Sequence, residues 1–206
     1  MGAVVDLDGL LEQRRVWRGR QALSRPQALQ PTGHTALDAC LPDGGWPSAS
    51  LIELLLGAPG AGELQLLWPS LARLTTEGGR VVLVSPPFIP FAPAWQAAGV
   101  DLRWLSQVDA PPGEALWAAE QCLRSGSCAA VLCWPERADD RALRRLQVAA
   151  ETGQALAFAC RGQQVSINPS PAVLRIAIDT RPAQWRVLKC RGGLPPSLPV
   201  AANGQG

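Results

Sequence analysis

Apolar residues in this chain fall into short continuous runs, and between the runs they recur at helical spacing. Leu51 to Leu56, Val81-Val82-Leu83-Val84 and Ala129-Ala130-Val131-Leu132 read as strands buried on both faces, because a half-buried strand would alternate apolar and polar side chains. The pattern predicts strands over 50–56, 80–85, 103–107, 128–134 and 155–160, with helices over 63–77, 92–98, 113–125 and 138–152 between them. Such alternation implies an α/β fold, a mostly parallel sheet with helices on both faces. Leu174 to Ile178 and Trp185 to Lys189 are β-rich runs separated by Asp179-Thr180-Arg181-Pro182, which predicts a closing C-terminal β-hairpin at the sheet edge.

Ahead of the sheet, Leu7, Leu10, Leu11 and Trp17 share one side of a helical pattern whose end is crowded by Arg14, Arg15, Arg18 and Arg20. This gives an N-terminal helical arm and linker over 1–30, a core over 31–191, and a disordered tail over 192–206 marked by Gly-Gly and Pro-Pro pairs. Pro69, inside the first long helix, is expected to kink it or delay its start. Of the eight tryptophans, Trp68, Trp104 and Trp117 are expected in the core, and Trp17, Trp46 and Trp134 at contact sites.

Composition narrows the class without naming a chemistry. The 206 residues are 47% hydrophobic and 17% charged, with 20 Gly and 19 Pro, which fits one turn-rich domain and excludes disorder as the overall state. The 19 basic and 17 acidic residues leave +2, too little for a protein that coats a polyanion. Apolar stretches are broken before the roughly 18 residues that a membrane span needs, and no leader pattern opens the chain, so a cytoplasmic location with no membrane partner is expected. The six cysteines form no C-x-x-C pair, and His34 is the only histidine, which argues against a metal site. Reduced cysteines packed as small hydrophobes are expected, above all Cys128 and Cys133.

The most informative segment follows the first strand. Gly57-Ala58-Pro59-Gly60-Ala61-Gly62-Glu63-Leu64 has the G-x-x-x-x-G spacing and strand-loop-helix setting of a phosphate-binding loop. The lysine that would meet the β- and γ-phosphates is replaced by Glu63, and the hydroxyl that would hold Mg²⁺ by Leu64. Two like charges about 4 Å apart cost on the order of 4 kcal/mol even at an effective dielectric near 20. Such a loop should reject ATP. A glycine-rich turn with no nucleotide ancestry has the same spacing.

Residues from Pro31 to Arg161 resemble the ATPase core of RecA-type recombinases. The resemblance is carried by Thr32-Gly33, Ala36-Leu37-Asp38, Gly44-Gly45-Trp46-Pro47, Ile52-Glu53, Ala98-Gly99-Val100-Asp101 and Leu123-Arg124-Ser125-Gly126. It implies a RecA-like sheet, and it places the family's catalytic acid at Pro87 and its metal-supporting Asp at Trp134. With Glu63 and Leu64, four groups are lost, each serving a different part of phosphoryl transfer. The expectation is a protein that is not an enzyme and needs no cofactor.

The chain is similar to the ImuA family of translesion DNA synthesis-associated proteins through Val16-Trp17-Arg18-Gly19-Arg20-Gln21, Gly57 to Leu67, Glu114 to Gln121, Arg137 to Gln147 and Val187 to Gly193. That resemblance implies a noncatalytic adaptor of damage-induced mutagenesis. Its partners would be an ImuB-like inactive relative of Y-family polymerases and, through it, an error-prone polymerase subunit, with RecA a further candidate. The core is also similar to SulA, an inhibitor of cell division that binds the tubulin-like division protein; the stretch from Pro31 to Pro47 favours ImuA.

Three surfaces are candidates for binding. Arg137, Arg141, Arg144 and Arg145 fall on one helical face and either dock phosphates or carboxylates or form a solvated face partly neutralised by Asp139 and Asp140. Lys189 and Arg191 match two basic residues with which RecA reaches a neighbouring subunit's nucleotide; they either dock against a RecA-like neighbour or discourage strand pairing. The arm bearing Trp17, Arg18 and Arg20 either enters a partner's groove or folds back on its own core. The segments Pro135 to Ala138 and Gly162 to Pro171, where RecA carries its DNA loops, are short and not basic, so DNA contact is expected to be weak or to come through partners.

Overall fold

The computed structural model describes residues 30–111 and 113–202. The expected arm, with Trp17, Arg18 and Arg20, lies outside them. In chain order the elements are α1 (Thr35–Asp38), β1 (Leu51–Leu56), α2 (Glu63–Thr76), β2 (Arg80–Val84), α3 (Ala92–Ala97), β3 (Leu105–Val108) and α4 (Ala115–Arg124). There follow β4 (Cys128–Cys133), α5 (Asp140–Gly153), β5 (Leu156–Gly162), β6 (Leu174–Thr180), β7 (Ala183–Cys190) and β8 (Val200–Ala201).

All eight strands form one sheet in the order β3-β2-β4-β5-β1-β6-β7-β8. It is parallel from β3 through β6, and antiparallel pairings of β7 and β8 close it. This is the α/β arrangement that the alternation of runs and helices implies. The reason lies in the strand period of two: Ile52, Leu54 and Leu56 pack on one side with Leu66, Leu67 and Leu71 of α2, while Leu51 packs on the other with Leu143, Leu146 and Ala150 of α5 and Leu123 of α4.

Several expectations are corrected. The β6–β7 hairpin is not the sheet edge, because β8 pairs with β7 at Gln184 and Trp185. The tail expected to be disordered over 192–206 therefore contains a strand, and Val200 is buried against the main core. Burial of Trp185 explains why: a large indole on the last hairpin strand needs a cover. Pro69 does not delay α2, which begins at Glu63. A Cβ on Gly33, which has φ +86°, would come within 2.2 Å of Pro69 Cβ, so the proline marks where the segment before β1 crosses the helix.

That crossing buries a tryptophan expected at the surface. Trp46 is 1% exposed; its Nε1 donates to Ser70 Oγ at 2.7 Å, and Ser70 Oγ donates to the Thr32 carbonyl at 3.0 Å. Trp117, expected in the core, is 59% exposed on α4.

The sheet also buries an ion triad. Glu53 in β1 is fully buried and pairs with Arg161 of β5 and with Arg175 of β6, whose Nε lies 2.9 Å from Oε2. Arg161 donates onward to the Ala138 carbonyl, and Arg175 to the carbonyls of Val165, Ser166 and Asn168. The triad therefore fixes the chain after β4 and the chain after β5. Removing one partner of a buried ion pair leaves an uncompensated charge. Glu53→Gln is thus expected to cost about 3–5 kcal/mol in urea unfolding, and a loss below about 1 kcal/mol would show that the triad is not an energetic keystone.

Candidate functional site

A cleft of about 760 Å³ opens at the carboxyl ends of the parallel strands. Its walls are Gly57 to Pro59 after β1, Ser85 to Pro87 after β2, Ala110 and Pro111 after β3, Trp134 to Arg137 after β4, and Cys160 to Gly162 at the end of β5. Ligands of open α/β sheets bind at such strand ends.

The loop after β1 runs from this wall into α2. Gly60 and Gly62 have φ of +78° and +104°, a backbone only glycine adopts freely, and Gly62 delivers the chain into α2. Glu63, the first residue of α2, is 2% exposed. Its Oε1 accepts the Gly60 N–H at 2.8 Å and the Trp134 indole Nε1–H at 3.2 Å. Oε2 is buried and has no hydrogen-bond partner among the described residues.

The carboxylate thus does more than repel an incoming phosphate. It takes a loop amide and sits at a helix N-terminus, where negative charge is stabilised. Leu64 packs on the apolar core, and Pro87 and Trp134 line the cleft with side chains that carry no carboxylate, Glu136 being the acidic residue of that lining. A carboxylate and an apolar side chain at the start of α2 do not fit a magnesium nucleotide, which needs a cation and a hydroxyl there. Among the described residues there is also no group of three His, Cys, Asp or Glu side chains placed to hold a metal ion.

The walls contain features that composition did not signal. Ser85 has φ +47°, in the left-handed region at the end of β2. Its N–H donates to the Val108 carbonyl and its Oγ accepts from the Ala110 N–H, so the loops after β2 and β3 are tied. From there Phe88, Ile89 and Phe91 are 66%, 93% and 69% exposed. Phe88 rests on the phosphate-type loop: a Cβ on Gly60 would lie 3.1 Å from its ring.

No family model matches the chain, and none of the curated proteins matches it. Among solved structures it is similar to the crystal structure of SulA from Pseudomonas aeruginosa, at 27% identity over 56% of this chain and 98% of that chain, with a TM-score of 0.46. No helix among the described residues is long and apolar enough to cross a membrane.

The other candidates are dispersed rather than brought together. The basic stripe is corrected at one end: α5 begins at Asp140 with Asp139 as its N-cap, so Arg137 precedes the helix and lines the cleft instead. Arg144 pairs with Asp140 at 2.7 Å, and Arg145 shares Glu120 with Arg124 at 3.1 and 3.0 Å, so much of the stripe's charge is neutralised. Arg141 is exposed. Lys189 and Arg191 lie at the opposite end of the sheet from the loop after β1, where they donate to the carbonyls of Ser170 and Pro171. Burial, then the charges of Arg191 and Arg175, lowers the Lys189 pKa.

All six cysteines are free, and burial pushes the Cys133 thiol up to about 12. The Cys160 thiol is raised well above its ordinary value by burial first and then by the charge of Glu63.

Asp179 is a further side chain that the sequence did not single out. It lines a second hollow beside Gly57 and Ala58. Hydrogen bonds from Arg186 above all, and then from Gln184 and Gln163, hold its carboxyl at about 2 against the opposing effect of burial. With an unfolded value near 3.9, the stabilisation is present above about pH 4 and is lost as the pH falls through about 2. Asp179→Asn should therefore flatten the acid limb of stability between those values in thermal melts. An unchanged acid limb would show that the pairing contributes nothing.

Proposed function

We propose that this chain is a noncatalytic RecA-like adaptor of damage-induced mutagenic DNA synthesis. In this reading it works beside an ImuB-like inactive polymerase relative, and through it with an error-prone polymerase subunit, with RecA as a further partner. The observation that carries the noncatalytic part is the placement of the Glu63 carboxylate on the Gly60 amide and the Trp134 indole. A loop that already holds an internal carboxylate on one of its amides carries a negative charge where a triphosphate needs a cation.

The partner part rests on the ImuA resemblance and is supported by the exposed Phe88, Ile89 and Phe91, an apolar surface of the kind that partners cover. Direct DNA binding plays little part in this reading, because acidic neighbours pair Arg144 and Arg145. In addition, Arg175 folds the segment after β5 onto the domain instead of leaving it free to wrap a strand.

The test is a pull-down with purified proteins: an ImuB-like partner, RecA and the tubulin-like division protein. The reading predicts retention of the ImuB-like protein, unaffected by added magnesium ATP, and no hydrolysis by the chain alone. Retention of the division protein with loss of the ImuB-like one would replace this reading with a SulA-like inhibitor. Hydrolysis of ATP would end the noncatalytic reading altogether.

A further inference from the structure

In a working nucleotide fold, a phosphate and its metal hold the loop after the first strand to the end of a neighbouring strand. Here the same two regions are joined by one side chain. Glu63 Oε1 accepts from the Gly60 N–H of the loop and from the indole of Trp134, the residue directly after β4. The acceptor stands at the first turn of α2, whose N–H groups lack intrahelical partners and whose dipole favours an anion. Trp134 is partly buried against the core and borders the cleft with Pro135 and Arg137.

We infer that Glu63 is a tethered replacement ligand: it fills the anion position of the loop and, through Trp134, locks the loops after β1 and β4 into one nucleotide-independent arrangement of the cleft. The inference rests on the noncatalytic reading above and deepens it by stating how the site is regulated, which is by permanent occupancy. Phe88 packs on Gly60, so the exposed Phe88-Ile89-Phe91 surface stands on the same locked footing.

A chemical consequence distinguishes a tethered ligand from an ordinary buried glutamate. The backbone of the cradle remains, including its left-handed glycines. Removing the side chain should therefore expose a receptor for a free oxyanion, for which inorganic sulfate and pyrophosphate are the probes. Since Oε2 has no partner among the described residues, truncation also removes one unsatisfied buried oxygen, and Glu63→Ala is expected to fold.

The experiment follows amide hydrogen exchange and melting temperature in the full chain, with chloride at matched ionic strength as control. Exchange at Gly60 should rise roughly ten- to hundredfold in Glu63→Ala, as expected for loss of a charge-assisted bond. Millimolar pyrophosphate should restore part of that protection and raise the melting temperature of the variant while leaving the wild type unchanged. The Trp134 indole Nε1–H, which donates to Glu63 in the wild type, should also exchange faster in Glu63→Ala. The inference is overturned by wild-type protection of Gly60 or of the Trp134 indole in Glu63→Ala, or by anion effects equal in both proteins. None of these readouts involves a partner, so their failure leaves the adaptor reading standing; ATP binding by the wild type removes this inference, and ATP hydrolysis removes the noncatalytic reading as well.

Discussion

The bond from the Gly60 amide to Glu63 Oε1 depends on three local conditions that meet at one point. The loop turns through left-handed glycines and directs an amide inward, α2 begins immediately afterward so that its dipole favours negative charge, and an indole donor arrives from the end of β4. With the carboxylate seated, the loop after β1 is joined to the residue that follows β4. In the reading proposed above, the chain's own side chain supplies the anion of this loop.

The rest of the fold holds that arrangement from below. Strand β1, which carries the loop, lies between β5 and β6 and is joined to both through Glu53. The two arginines of the triad continue to carbonyls after β4 and β5, so the same buried charge that fixes the strands also anchors the chain near the Trp134 end of the cleft. A triad of this kind is a weak source of net stability compared with well-packed hydrophobic residues, but breaking it is costly, and its geometry is directional. Its directionality is what two irregular loops over a sheet require.

The centre of the sheet was legible because β1, β2 and β4 are compact apolar runs with turn signals around them, and the helices between them have clear faces. What was not legible depends on partners distant in sequence. Glu53 stands out as a charge within an apolar run, yet Arg161 and Arg175 become its partners only through the register of three strands. Trp46 and Trp117 exchanged their expected places because burial was decided by how the segment before β1 crosses α2 and by which face of α4 meets α5. Strand β8 is two residues long among prolines and glycines, too short to carry a pattern of its own. At the site, Glu63, Leu64, Pro87 and Trp134 were singled out in the sequence as the positions where the RecA-type resemblance would place lysine, hydroxyl, acid and metal carboxylate. That the first and last of these are bonded to each other was not, because 71 residues separate them.

A crystal of the wild-type chain grown with magnesium and a nonhydrolysable ATP analogue tests the central claim most directly. The account predicts an unliganded loop from Gly57 to Gly62, with the Glu63 carboxylate still on the Gly60 amide and within reach of the Trp134 indole. Phosphate density in the loop, with Glu63 rotated out toward solvent, would contradict it.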